Sequence, residues 1–268
     1  MTSEVFAPAK INLTLHVTGQ RADGYHLLDS LVVFADIGDR LWFAPSETLS
    51  LTVTGPFSGG VPTDDRNLVW QAAEKAGQTA AITLEKNLPH GAGIGGGSSD
   101  AAAVLRHFGV SDGQGALGAD VPVCLIPSAQ RMRGIGDVLE PVPNLPTLEA
   151  VLVNPGVHVP TPEVFKALDR RNNPPMPDHL PEFQSAGDFT AWLAGQRNDL
   201  QTAAAAQAPQ IDDVLKALNA CRGLKLARMS GSGATVYGLF EDRSAAETAA
   251  TALADAHPDW WVRACRLS

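Results

Sequence analysis

An α+β protein in two domains is the fold class that the sequence predicts, on three observations. Strand-like and helix-like stretches interleave through both halves without a βαβ repeat. Pro141, Pro143 and Pro146 stiffen the middle of the chain, and Leu145-Pro146 marks a boundary between a domain over 1–146 and one over 147–268. The 268 residues, 44% of them apolar, are enough for two cores.

Taken in order, residues 4–17 mix β-branched and small apolar residues and read as a strand broken near Pro8, followed by a turn over 20–24. Strands are expected at 29–36 and 39–44, separated by Gly38-Asp39, and at 49–54. A Gly- and Pro-rich loop over 55–65 leads to a helix at 67–76, which Asp65 or Asn67 can cap and Gly77 can end. A short strand at 81–85 runs into a glycine-rich loop, and an Ala-rich helix follows to about 107. Ser98, Ser99 and Asp100 suit the cap and first turn of that helix. Residues 111–115 form a turn-like connection. Beyond the boundary come a strand at 148–153, a helix at 161–168 and a proline-rich surface loop at 172–181. Helices at 188–194, 198–206 and 210–221 precede strands at 225–229 and 235–240, which flank Ser230-Gly231-Ser232-Gly233. A helix at 243–256 and a strand at 260–266 close the chain.

Composition excludes several classes. The net charge is −9 and no Lys/Arg cluster interrupts the acidic background, so no nucleic-acid surface is expected. No apolar run approaches the ~18 residues of a membrane span, and no signal peptide is visible, so the expected location is cytoplasmic. Cys124, Cys221 and Cys265 are odd in number and lie in no C-x-x-C pair. That argues against a disulfide framework or a zinc knuckle and fits a reducing compartment. An acidic chain that binds an anionic ligand must build a local positive site from backbone N–H groups and a lysine or two.

The segment Pro89-His90-Gly91-Ala92-Gly93-Ile94-Gly95-Gly96-Gly97-Ser98-Ser99 is the strongest functional signal. Five of the seven residues over 91–97 are glycine. Ordering such a loop costs much entropy, which close approach of a ligand to the backbone offsets. N–H groups aimed at an anion, with a helix opening behind them, make phosphate the natural guest. The loop also satisfies G-x-G-x-x-G, but it does not follow a first strand, and a turn at 111–115 stands where a ribose-binding acid should end a second one. No Gly-Lys-Ser/Thr follows, so it is not a Walker A loop either. The plain alternative is a flexible surface loop.

The whole run from Leu88-Pro89 through Ser98-Ser99-Asp100-Ala101 closely resembles the phosphate loop of the GHMP kinase superfamily. Pro8-Ala9-Lys10-Ile11-Asn12-Leu13 and Arg21-x-Asp23-Gly24-Tyr25-His26 look like the N-terminal signature of its 4-diphosphocytidyl-2-C-methyl-D-erythritol kinase family. Leu117-Gly118-Ala119-Asp120-Val121-Pro122 resembles that family's catalytic segment. Asn154-Pro155-Gly156, Pro160-Thr161-Pro162-x-x-Phe165 and Ser230-Gly231-Ser232-Gly233 match its C-terminal half, so the resemblance covers nearly the whole chain. It implies a GHMP kinase fold, with an N-terminal domain like ribosomal protein S5 and a ferredoxin-like C-terminal domain. It also implies transfer of the γ-phosphate of ATP to the 2-hydroxyl of a small substrate that carries cytidine diphosphate, in non-mevalonate isoprenoid synthesis. Two departures stand out: the chain between Ser99 and Gly118 is short for the family, and Gly136-Asp137 replaces the commoner Gly-Glu on a hairpin.

On this resemblance Asp120 is the candidate base that accepts the proton of the attacking hydroxyl, or else it is a capping or turn aspartate. Lys10 is the candidate that orients Asp120 and stabilises developing charge, or else it is a lysine snorkelling from a strand end. Asn12, Tyr25, His26, Thr161 and Phe165 are the substrate-side candidates. Aromatic rings can stack on cytosine and an imidazole can read its edge, while Asn12 can equally pair with backbone and Phe165 can equally be core. Residues 89–99 form the ATP site. Mg²⁺ follows from ATP chemistry, with no protein ligand assigned. Three rival readings remain: a sister kinase acting on homoserine, mevalonate or a sugar; a non-catalytic nucleotide-binding module; and a dinucleotide oxidoreductase. Tyr25-His26 argues against the first, and Lys10 with Asp120 against the second.

Overall fold

Strand and helix signals resolve into eleven strands and eight helices among the described residues of the computed structural model, which covers 3–110 and 117–268. The turn expected at 111–115 lies outside the described residues. Two compact units are built from interleaved segments. The first combines Met1–Lys10, Ile37–His90 and Gly95–Pro127; the second combines Ile11–Asp36, Gly91–Ile94 and Ser128–Ser268. These limits differ from a single cut at 146/147, since residues 11–36 and 128–146 belong with the second unit.

In the first unit, β1 (Ser3–Asn12) pairs with the long β3 (His26–Pro45). The far half of β3 pairs antiparallel with β5 (Ala80–Glu85), from Arg40 opposite Glu85 to Pro45 opposite Ala80. Parallel to β5 lies β4 (Ser50–Thr54), and the crossover between them carries α1 (Leu68–Lys75). The Asn67 side chain caps α1 by accepting from Val69 N at 2.9 Å, and Gly77 leaves the helix at φ +63°. Two more helices complete the unit, α2 (Gly96–His107) and the short α3 (Val121–Leu125).

The expected break between 36 and 39 is absent, because β3 runs through it. Gly38 does not turn the chain. It lets β1 pass so close that a Cβ there would sit 2.2 Å from the Ala7 carbonyl oxygen. Pro8 likewise lies inside β1 without ending it.

The second unit is organised around β8 (Leu148–Asn154), whose near-continuous apolar run is buried between two antiparallel neighbours. Those are β10 (Val236–Phe240) and β11 (Trp261–Leu267), with β9 (Leu224–Met229) beyond β10. The helices are α4 (Thr161–Lys166), α5 (Ala186–Ala194), α6 (Gln201–Gln207), α7 (Gln210–Asn219) and α8 (Arg243–Ala256). Ile211, Val214 and Leu218 of α7 and Ala246, Ala249 and Leu253 of α8 join Val151 and Val153 in one core.

A second group of strands in this unit comprises β2 (His16–Gln20), the near half of β3, β6 (Gln130–Gly134) and β7 (Val138–Pro141). The proline-rich stretch over 172–181 is held against it by a buried ion pair. Arg131 donates to both carboxylate oxygens of Asp29 at 2.8 Å and to the carbonyls of Met176, Pro177 and Asp178. Asp29 also accepts from Met176 N.

Two outcomes follow from this packing. Gly38→Ala forces a methyl into the Ala7 carbonyl and is expected to cost about 3 kcal/mol of stability, whereas Gly59→Ala, with nothing within 4 Å of its Cβ, stays neutral. Chemical denaturation of the two variants reads the difference. His16 is buried, and burial first and the Arg197 charge second pull its pKa down to about 4. The folded ring therefore stays neutral where the unfolded one, at about 6.5, is already charged. Stability falls as pH drops from about 6.5 toward 4, and a His16→Gln variant shows a flatter melting-temperature profile over that window.

Candidate active site

Strand β1 ends its first-unit segment at Lys10, which is only 3% exposed and therefore does not snorkel. Its ammonium donates to Asp120 Oδ2 at 2.7 Å, and the Asp120 side chain is 37% exposed. Asp120 stands at the cap position of α3, yet its side chain makes no capping bond. The carboxylate is spent on Lys10, with one face open. Burial pushes the nearby Cys124 thiol up to about 12, so it is no competing nucleophile.

The glycine run opens α2 at this place. Gly95 caps the helix at φ +64°, and a Cβ on it would lie 3.1 Å from Lys10 Cβ and 3.3 Å from Lys10 Cε. The lysine chain thus lies directly under the helix start. A Cβ on Gly96 would lie 3.5 Å from Lys86 Nζ, which brings in a second lysine. Ser99 is fully buried and its hydroxyl has no protein partner, while Ser98 and Gly97 lie nearer the surface. Ser98, Ser99 and Asp100 were expected at the cap and first turn of α2; Gly95 holds the cap position and no side chain caps the helix, while Ser98 and Ser99 fall in its opening turn. Before the loop, Pro89 is half-buried and His90 is exposed, its Nε2 against the Phe57 carbonyl.

Lys86, Asp39 and Asp100 form a buried cluster that sequence reasoning missed. Lys86, 4% exposed, donates to Asp100 Oδ2 at 2.7 Å and to Asp39. Asp39 Oδ1 also accepts the backbone N–H groups of Asn87 and Leu88, at 2.5 and 2.9 Å. The three residues are separated by 47 and 14 positions, so no local spacing signals them.

The other half of the loop, Gly91–Ile94, belongs to the second unit. Ala92 and Ile94 are buried. A Cβ on Gly93 would lie 2.5 Å from the Ser230 carbonyl oxygen, and one on Gly231 would lie 2.7 Å from the Gly93 carbonyl oxygen. Two backbones therefore meet where side chains are excluded. Ser230 Oγ donates to Gly93 O at 2.9 Å, and Thr235 N donates to Ala92 O at 3.1 Å. Asn198 holds the turn from below, donating to the carbonyls of Met229 and Gly231 at 2.8 Å each.

Substrate-side candidates also fall in the second unit. Asn12 donates its backbone N–H to Ser230 Oγ and its side-chain amide to Ser30 Oγ, leaving a buried Oδ1 without a protein partner. His26 stacks on Phe165 with ring centroids 4.9 Å apart, and its Nε2 is likewise unpartnered. Burial, then the Arg171 charge, lowers the His26 pKa, which keeps the ring neutral near pH 7. Tyr25 is 62% exposed. Thr161 Oγ1 meets Ser232 Oγ at 2.6 Å, which ties the start of α4 to the Ser230–Gly233 turn.

Comparison with known proteins places these features in a family. Residues 67–111 match the GHMP kinases N terminal domain, and residues 180–259 match GHMP kinases C terminal. A 4-diphosphocytidyl-2-C-methyl-D-erythritol kinase of Dinoroseobacter shibae is 60% identical over 96% of this chain and 92% of its own length. One from Cereibacter sphaeroides is 55% identical over 99% of both. A crystal structure of a 4-(cytidine 5'-diphospho)-2C-methyl-D-erythritol kinase superposes with a TM-score of 0.77 at 35% identity, covering 99% of each chain. A homoserine kinase structure from Cytophaga hutchinsonii shares the fold, at 19% identity and a TM-score of 0.66 over 100% of this chain and 94% of its own. The chain is a small-molecule kinase that belongs to the GHMP kinases and, within them, to the 4-diphosphocytidyl-2-C-methyl-D-erythritol kinase family.

Proposed function

We propose that this chain transfers the γ-phosphate of ATP to the 2-hydroxyl of 4-diphosphocytidyl-2-C-methyl-D-erythritol, with Asp120 as the base. The observation that carries the reading is the Lys10–Asp120 ion pair beside the glycine-opened start of α2. Phosphoryl transfer asks a protein mainly for positioning and for charge opposite the transferring group. A half-open carboxylate can take the hydroxyl proton as the oxygen attacks phosphorus. Lys10, fixed by burial, holds Asp120 in place through their 2.7 Å contact, and its ammonium offsets charge that develops on the alkoxide.

Use of ATP is common to GHMP kinases, and the loop over 89–99 fits its phosphates. Glycine at 95 and 96 leaves the backbone bare, and α2 presents its positive end. No group of three or more acidic, His or Cys side chains among the described residues could cage a metal. The residues therefore suit a Mg²⁺ ion carried on nucleotide oxygens and water, where it would neutralise phosphate charge. For the acceptor, the neutral His26 ring, Phe165 and Tyr25 supply aromatic and hydrogen-bonding groups suited to cytosine, and the free Asn12 Oδ1 can accept from a substrate hydroxyl. Thr161 adds a hydroxyl at the start of α4. We also propose 146/147 as the division between the two family regions, supported by matches that fall wholly on either side of it, while the compact units interleave across it. A cytosolic location accords with the ATP requirement and with three free cysteines.

The decisive experiment measures ADP release with Mg²⁺–ATP against the diphosphocytidyl substrate, homoserine, mevalonate and galactose. Turnover is expected with the cytidine compound alone. Asp120→Asn should lower kcat by about 10²–10⁴-fold while nucleotide binding persists. Turnover with another acceptor overturns the substrate, and an unimpaired variant overturns the base. His26→Ala should raise KM for the cytidine substrate more than it lowers kcat; the reverse pattern removes His26 from substrate binding.

A further inference from the structure

The Lys86–Asp39–Asp100 cluster plays no part in the chemistry above, yet it lies under the first turn of α2. Lys86 Nζ is 3.5 Å and Asp39 Oδ2 3.7 Å from where a Gly96 Cβ would be. Asp100 is on α2 itself and almost wholly buried. One of its oxygens accepts from Lys86, while the other, Oδ1, has no protein partner. A buried carboxylate oxygen without a donor is costly when charged and far less so when it carries a proton. Two carboxylates also share one ammonium here, so with both ionised the cluster is net negative, and with one protonated it is neutral.

We propose that Asp100 is a positioning residue for the nucleotide: by keeping or losing one proton beneath the start of α2, it sets the charge under the glycine loop and hence the grip on phosphates. The inference rests on the reading of that loop as the nucleotide site. A neutral cluster leaves the positive end of α2 intact. A net negative one, a few ångströms from Gly96, opposes the phosphates through a medium that screens poorly.

The electrostatics agree with the geometry. Burial first pushes the Asp100 pKa up, Lys86 pulls it back, Asp39 pushes it up again, and the result is about 8. Burial works against the Lys86 charge, but the two carboxylates outweigh it and its pKa is raised. Other ionisable groups on the surrounding elements are Lys10 on β1, Asp120 before α3, Cys124 on α3, and Arg106 and His107 at the far end of α2. Helix α1, packed on α2, contributes Glu74 and Lys75, both exposed. Of these neighbours, Cys124 stays protonated well beyond the window, being pushed up to about 12.

Because linkage is reciprocal, bound phosphates must in turn favour the protonated form. Calorimetric titration of the full chain with ADP and Mg²⁺ at pH 7.0 and 9.0 tests this. The wild-type Kd is expected to weaken about tenfold across that interval, and the isosteric Asp100→Asn to hold its Kd within about twofold. Parallel weakening in both proteins overturns the inference, since a merely structural Asp100 would not change the pH profile. A flat wild-type profile overturns it too. A second measurement needs no variant: near pH 8, in buffers of different ionisation enthalpy, ADP binding should take up a proton, and absence of uptake refutes the idea. ADP that fails to bind at either pH sinks the nucleotide-site reading itself, which is a separate outcome from binding without pH dependence.

Discussion

Bare backbone in the glycine run is the constraint on which this structure turns. Gly93 meets the Ser230 carbonyl and Gly231 at distances that no side chain survives. Gly95 lies on the stem of Lys10, and Gly96 has Lys86 close by. Each contact is made by deleting a Cβ, and each puts a hydrogen-bonding or charged group within reach of the loop. Flexible glycines cost entropy on ordering, and the offset comes from bonds such as Ser230 Oγ to Gly93 O and Thr235 N to Ala92 O. The loop is thus held by its surroundings more than by its own preferences.

Charge is the second theme. A chain with a net charge of −9 places two lysines at the start of α2, and both are buried. Neither is left alone, since burying an ammonium without a partner is prohibitive. Lys10 has one carboxylate that remains partly open. Lys86 has two that are closed off, and one of them also fixes the backbone leading into the loop. Removing one member of such a closed cluster typically costs about 3–5 kcal/mol. The two lysines therefore differ in access: one pair is half-open and the other cluster is sealed.

Similar reasoning applies in the second unit. Asp29 and Arg131 form a buried bidentate pair that holds the proline-rich stretch through three carbonyls and one N–H. The same strand, β3, carries His26, which stacks on Phe165. Neighbouring positions on one strand thus combine a rigid anchor with rings whose polar atoms, such as His26 Nε2, are left free. Unsatisfied buried acceptors such as Asn12 Oδ1 cost stability in the absence of a partner, which is consistent with a site shaped for a polar guest.

Local pattern alone determined a good deal about this protein. The α+β class, the helix capped by Asn67, the buried strand β8, helix α8 and the glycine loop were all legible, because cap chemistry, hydrophobic period and glycine density act over a few residues. Ordered motifs carried the family in the same way. What tertiary structure decided is whatever depends on partners distant along the chain. Gly38 looked like a break and is a close strand crossing, because Ala7 lies opposite it. Asp100 looked like a first-turn helix residue and is one of two carboxyl groups that share a buried lysine, because Lys86 reaches both it and Asp39 from other elements. Asp120 could have been a cap; the arrival of Lys10, 110 residues earlier in sequence, made it a paired and accessible carboxylate instead. Side-chain type and spacing state what a residue can do, and only the fold supplies the neighbour that selects among those options.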